Sequence, residues 1–178
     1  MLMLKTLSFA FAMALAALLG FAATRPDSFS MQRSATIAAP PEKVFALVND
    51  LKGFNTWNPF LLKYPESQVA YEGASTTGVG AAYTWKGEQA GSGRMEIVES
   101  AAPTRVAATL AFTAPMATTN RVEFTLVPQG AGTQVTWRMS GPMPYLSKLV
   151  SVFVSFDRMV GPDFEAGLAR LKTLAERA

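Results

Sequence analysis

A chain of 178 residues, 49% apolar and 16% charged, holds enough apolar material for one packed domain and too much for a disordered tail. Its net charge of +3 comes from Lys and Arg scattered singly, so no basic run marks a nucleic-acid partner. Cysteine and histidine are both absent, which excludes disulfides, thiolate nucleophiles, Cys/His zinc sites and imidazole bases. Any proton transfer would fall to Asp, Glu, Lys or Tyr, and no metal or cofactor is expected.

The N-terminus, "MLMLKTLSFAFAMALAALLGFAATRPDSF", carries one charge, Lys5, and then none from residue 6 to residue 24. A helix of about 18 such residues, rising about 1.5 Å each, covers roughly 27 Å, close to the hydrocarbon thickness of a bilayer. The segment is apolar all round, which does not suit a core helix with one buried face. It reads as a retained single-pass anchor, ended by Arg25, Pro26 and Asp27, with the membrane as its partner. Lys5 and the terminal amino group favour a domain outside the cytoplasm, although Arg25 and Arg33 pull the other way. Gly20, Phe21 and Ala22 form a small-x-small pattern, so a cleaved signal with a secreted or periplasmic product is the alternative. The chain thus divides into an N-terminal segment, residues 1–28, and a domain, residues 29–178.

After Pro26 the period changes. "SFSMQRSATIAAP" alternates Phe29, Met31 and Arg33 against Ser30, Gln32 and Ser34 and predicts a strand. "PPEKVFALVNDL" predicts a short helix, with Pro41 at its first position and Val44, Phe45, Leu47, Val48 and Leu51 as its apolar stripe. The turn that follows, "GFNTWNPF", packs Phe54, Trp57 and Phe60 where most turns are polar. From residue 67 onward strands and turns alternate. Val79, Ala81, Tyr83 and Trp85 share one face; so do Met95 and Ile97, and Val106, Ala108, Leu110 and Phe112. Val122, Phe124 and Leu126 continue the pattern, as do Val135, Trp137 and Met139. One apolar face per strand describes a curved antiparallel meander with one wet side. Helical spacing returns in the last third, with Leu149, Val152, Phe153, Phe156, Met159 and Val160 on one side. A kink at Gly161 and Pro162, then Phe164, Leu168, Leu171 and Leu174, complete a single terminal helix over residues 145–176. Its stripe must be buried, and the concave face of the meander is the available surface. The fold class is α+β.

"RSATIAAPPEKVFALVNDLKGFNTWNPF" near the front, with "VTWRMSGPM" and "MVGPDFEAGLARLK" near the back, resembles the START-like (SRPBCC) superfamily. The resemblance covers residues 29–176 and is closest to the polyketide cyclase/dehydrase and lipid-transport group. It implies the helix-grip fold, a curved antiparallel sheet around a long C-terminal helix, holding hydrophobic small molecules between the two. The superfamily spans cyclases, lipid carriers and receptors, so the fold alone does not choose among them. Relatives tend to follow the tryptophan turn with charged residues. Here Asn58, Pro59 and Phe60 run into Leu61 and Leu62, a greasier entrance.

The candidate pocket lining is Trp57, Phe60, Tyr83, Trp85, Met95, Leu110, Phe112, Phe124, Trp137, Met139, Phe153 and Phe156. Core packing is the simpler account of each residue alone; as a group, aromatics and methionines suit an adaptable apolar pocket. Tyr83, Trp85 and Trp137 carry polar tips that need partners if buried. Arg94 with Glu96, and Arg121 with Glu123, read as outward ion pairs rather than catalytic dyads. Two functions are in play. One is a membrane-tethered domain that binds a hydrophobic small molecule or lipid without chemistry. The other is a polyketide cyclase- or dehydratase-like enzyme using Tyr83 or a carboxylate. The missing histidine and the lack of an inward carboxylate favour binding. "GFNTWNPF" would then be a lid, with Trp57 and Phe60 over the open end of the cavity.

Overall fold

The computed structural model describes residues 2–177, with side chains from residue 6 onward. An N-terminal helix α1 (Leu2–Ala23) precedes strand β1 (Ser28–Ile37) and helices α2 (Pro41–Asn49), α3 (Leu51–Asn55) and α4 (Pro59–Lys63). Strands β2 (Gln68–Glu72), β3 (Ala82–Gly87), β4 (Gly91–Ala101), β5 (Arg105–Ala114), β6 (Thr118–Gln129) and β7 (Gly132–Pro142) follow. Helices α5 (Tyr145–Phe153) and α6 (Phe156–Ala175) close the chain. The strands form one antiparallel sheet in the order β1-β7-β6-β5-β4-β3-β2.

Strand register lines up the alternating apolar residues in rows across the inward face. Met31 pairs with Met139, Met139 with Val122, Val122 with Ala108 and Ala108 with Ile97. Toward the β5–β6 turn, Leu110 pairs with Met95, Met95 with Tyr83 and Tyr83 with Tyr71. The opposite face carries charges. Arg94 bridges Glu72 at 2.9 Å and also Glu96, while Arg105 and Arg121 meet Glu123 at 2.6 and 3.2 Å. Burial would push the Glu123 carboxyl up, but the two guanidiniums hold it below the ordinary carboxylate range.

Helix α6 lies along β1 and runs the same way. Arg33 reaches Asp157 at 2.8 Å and Glu165 at 2.7 Å, and further on the Lys172 ammonium donates to the Thr36 carbonyl at 2.9 Å. The inward stripe of α6 is Phe164, Leu168, Leu171 and Ala175, all buried. Gly167 lets the helix approach closely: a Cβ there would stand 2.8 Å from the Trp137 ring and 3.0 Å from Pro59.

The terminal helix differs from the expected single rod. The chain breaks at Val154, which is extended, and α6 restarts at Ser155, whose side chain accepts from the Arg158 amide at 3.1 Å. A serine cap outcompetes continuation there, whereas Pro162 is accommodated inside α6. Val79 also departs from its expected inward face: it sits exposed in the turn before β3. Helix α1 projects from the domain with Leu7, Phe9, Phe11 and Met13 exposed, and among its described side chains, from residue 6 onward, only Ala22, near its end, is buried.

Candidate functional site

The layer between α6 and the sheet is fully buried at one end and only half-buried at the other. At the α2 end, Ile37, Ile97, Val106, Leu126 and Val135 are each no more than 2% exposed. At the α5 end, Phe29, Phe60, Leu110, Phe112 and Phe156 are only half-buried, packed against the core but reached by solvent. Two glycines shape this end. Gly93 sits between Phe112 and Trp85 in register, so the Trp85 indole lies across it and meets Phe112 edge-on at 5.4 Å. Gly141 faces Phe29 in register, and the Asn120 side chain lies against it.

Among the described residues two polar side chains are buried on the inward face, Thr133, whose hydroxyl donates to the Ala39 carbonyl at 2.8 Å, and Asn120. Asn120 is 7% exposed, opposite Leu110 in register, and its side-chain oxygen is buried without a hydrogen-bond partner. Such an oxygen is costly to leave unpaired and is ready to accept from a hydroxyl or amide that enters. Sequence reasoning missed it by starting the inward alternation of β6 at Val122. Stepping back two residues along the same face reaches Asn120.

The centre is filled rather than hollow. Trp57 is fully buried, edge-on to Phe54, Phe124 and Trp137 at ring separations of 4.8, 5.8 and 5.7 Å. Its indole nitrogen donates to the Leu47 carbonyl at 3.1 Å. Trp137 stacks on Phe164 at 4.0 Å with the rings 8° from parallel. The expected lid is therefore divided: Trp57 is a core plug, and Phe60, beyond the Asn58 cap that starts α4, alone stays at the rim.

Of the twelve sequence-derived residues, the structure brings Phe60, Leu110, Phe112 and Phe156 to the half-buried end. Tyr83, Trp85, Met95 and Met139 form the buried layer of the inward face, and Trp57, Phe124 and Trp137 form the plug. Phe153 is not brought to the group: it is 73% exposed on α5, beyond the helix break. The polar tips fare differently. The Trp85 nitrogen donates to the Ala90 carbonyl at 3.3 Å, whereas the buried Trp137 nitrogen has no partner. The Tyr83 hydroxyl accepts from the Asn58 amide at 3.4 Å, and Asn58 in turn donates to Asn55. Burial, with a smaller push from Tyr71, raises the Tyr83 phenol above its ordinary value despite that bond, so Tyr83 keeps its proton. Two shallow grooves, of 480 and 640 Å³, are lined mostly by outward side chains such as Arg121 with Arg138, and Lys86 with Arg94.

The seven-stranded antiparallel sheet and the helix laid along it define a helix-grip protein. The chain belongs to the polyketide cyclase/dehydrase and lipid-transport family of the START-like superfamily, whose family model matches residues 28–176. In structure it is similar to protein CV1439 of Chromobacterium violaceum, with a TM-score of 0.59 at 16% identity over 86% of this chain and 100% of that one. It is similar to a Thermobifida fusca protein, with a TM-score of 0.59 at 22% identity over 84% of this chain and 97% of that one. The Aha1 dimer from Colwellia psychrerythraea is similar too, with a TM-score of 0.58 at 18% identity over 83% and 96%. Among curated proteins none matches the chain.

Proposed function

We propose that this is a membrane-tethered module that binds a hydrophobic small molecule or lipid at the half-buried end of the grip. One observation carries the reading: the inward face passes from fully buried at the α2 end to half-buried at the α5 end, where the unpaired Asn120 oxygen lies. Phe60, Leu110, Phe112 and Phe156 offer apolar area, and Asn120 offers one acceptor to orient a polar head. Binding rather than catalysis is supported by the strand carboxylates, since Glu72, Glu96, Glu99 and Glu123 all pair with arginines on the outward face. Residues 1–28 act as the tether and residues 29–178 as the binding domain, outside the cytoplasm. The support for the tether is the 18-residue apolar stretch Thr6–Ala23, which is 6% buried and so has no core to serve.

The test is native mass spectrometry of the full chain after exchange between two detergents. A bound apolar mass is expected on the natural chain and should be lost from Leu110→Trp, which fills that end of the grip. No bound mass on the natural chain, or one that survives Leu110→Trp, overturns the reading.

A further inference from the structure

Helix α5 leaves much of its apolar surface outside, with Leu149 and Val152 half-buried. Its buried residue is Lys148, 7% exposed, whereas Leu146, Val150 and Phe153 stand 57%, 52% and 73% exposed. Spacings of four and three place these three on one stripe of the helix. A soluble helix of this composition would turn the stripe inward and the lysine out. Here the ammonium is drawn in to Asp27, Nζ to Oδ1 2.6 Å, and the stripe is left uncovered.

The helix is also fastened to the end of α1. The Tyr145 hydroxyl donates to the Leu19 carbonyl at 2.9 Å, and the Arg25 guanidinium donates to the Ser151 carbonyl at 3.3 Å. Leu19 is in the last turns of α1, so α5 sits at the level where the apolar span stops. Tyrosine beside such an end, with Arg25 and Lys148 just beyond it, is the arrangement of side chains that suits a bilayer surface.

We propose that α5 is an interfacial helix, with Leu146, Val150 and Phe153 seated in the boundary between headgroups and acyl chains of the bilayer that α1 crosses. The inference rests on α1 being a retained tether. Lipid is the occupant because α5 itself packs against α1, whose exposed Leu15, Leu19 and Phe21 would enter the same medium. The half-buried end of the grip, where Phe29 packs on Phe156 at a ring separation of 4.4 Å just past α5, is thereby held against the membrane. An apolar molecule then passes between bilayer and binding site without crossing water.

The chain has no cysteine, so single labels are unambiguous. The full-length variants Phe153→Cys, Val150→Cys and Val79→Cys carry an environment-sensitive fluorophore and are reconstituted in phosphatidylcholine–phosphatidylglycerol vesicles. Position 79 is exposed in the turn beside α2, at the other end of the sheet. A nitroxide on the upper acyl chain should quench labels at 153 and 150 at least about twofold and leave the label at 79 unchanged. If the chain floats with the vesicles but 153 is quenched no more than 79, the α5 inference fails and the tether stands. A label at 153 that is shielded from water yet unquenched by lipid points to a second copy or another protein and also overturns it. Failure of the chain to float overturns the tether and this inference together.

Discussion

Trp57 and Phe60 are three residues apart in one aromatic turn, yet burial separates their roles. Trp57→Ala removes a fully buried indole, three edge-on ring contacts and the donor to the Leu47 carbonyl. It should cost about 3–5 kcal/mol in a urea unfolding experiment. Phe60 is half-buried at the rim, and Phe60→Ala should cost less than about 2 kcal/mol. Equal losses at the two positions would mean that the rim is packed as tightly as the plug. Composition could not make this distinction, because it shows that a turn is greasy but not which of its rings the chain tucks underneath. The cap is the hidden signal: Asn58 accepts from the Phe60 amide at 3.1 Å and starts a new helix where the sequence reads as one continuous turn.

Among the elements, α6 is held to β1 by charge at its edge as well as by its apolar stripe. The Arg33 guanidinium, which hydrogen-bonds Asp157, holds that carboxyl below its ordinary value, and Lys148 does the same to Asp27. A carboxylate with a lowered folded value contributes stability that is fully present above its unfolded value and is lost as pH falls through the folded one. Stability should therefore be flat on this account from neutral pH down to about pH 4 and decline below it. Both carboxylates are exposed, so the decline is modest and screened by salt. Urea midpoints across that range check it, and Arg33→Gln should flatten the acid limb. An acid limb unchanged by Arg33→Gln would show that the pair does not hold α6. The break between α5 and α6 belongs to the same scale. Ser155, Phe156 and Asp157 carry a helix-start signal, a capping serine with an acid in the first turn, that a continuous apolar periodicity masked.

For the whole molecule, the decisive question is where α1 resides. Its apolar side chains surround the helix, and among those described from residue 6 onward only Ala22, near its end, is buried. A helix that neither buries a face nor exposes a polar one is expected to remain in lipid. The full-length chain should stay in the membrane fraction through a carbonate wash. A soluble product that begins near Ala23 would establish cleavage and leave α5 without its membrane anchor. The sheet, by contrast, was largely legible: period-two alternation identified most inward residues of β3 to β7, though not Asn120 or strand β2, and the charged partners fell on the outward face.

What the sequence determined by itself was local. Alternation in the strands, the proline-started α2 and the motifs shared with the START-like superfamily were enough for the α+β helix-grip architecture. Hydropathy marked the apolar run after Lys5, which forms the described helix α1. The tertiary structure alone decided which apolar faces meet protein. The stripe of Leu146, Val150 and Phe153 has the same period whether it faces the sheet or the outside, and its outward turn is read only from the burial of Lys148 against Asp27. Trp57 and Asn120 depend on partners far along the chain, Phe124 and Trp137 for the one, Gly141 for the other. Periodicity is a property of neighbours within a few residues. Burial is settled by whatever else the folded chain brings to that face, and no window of sequence contains it.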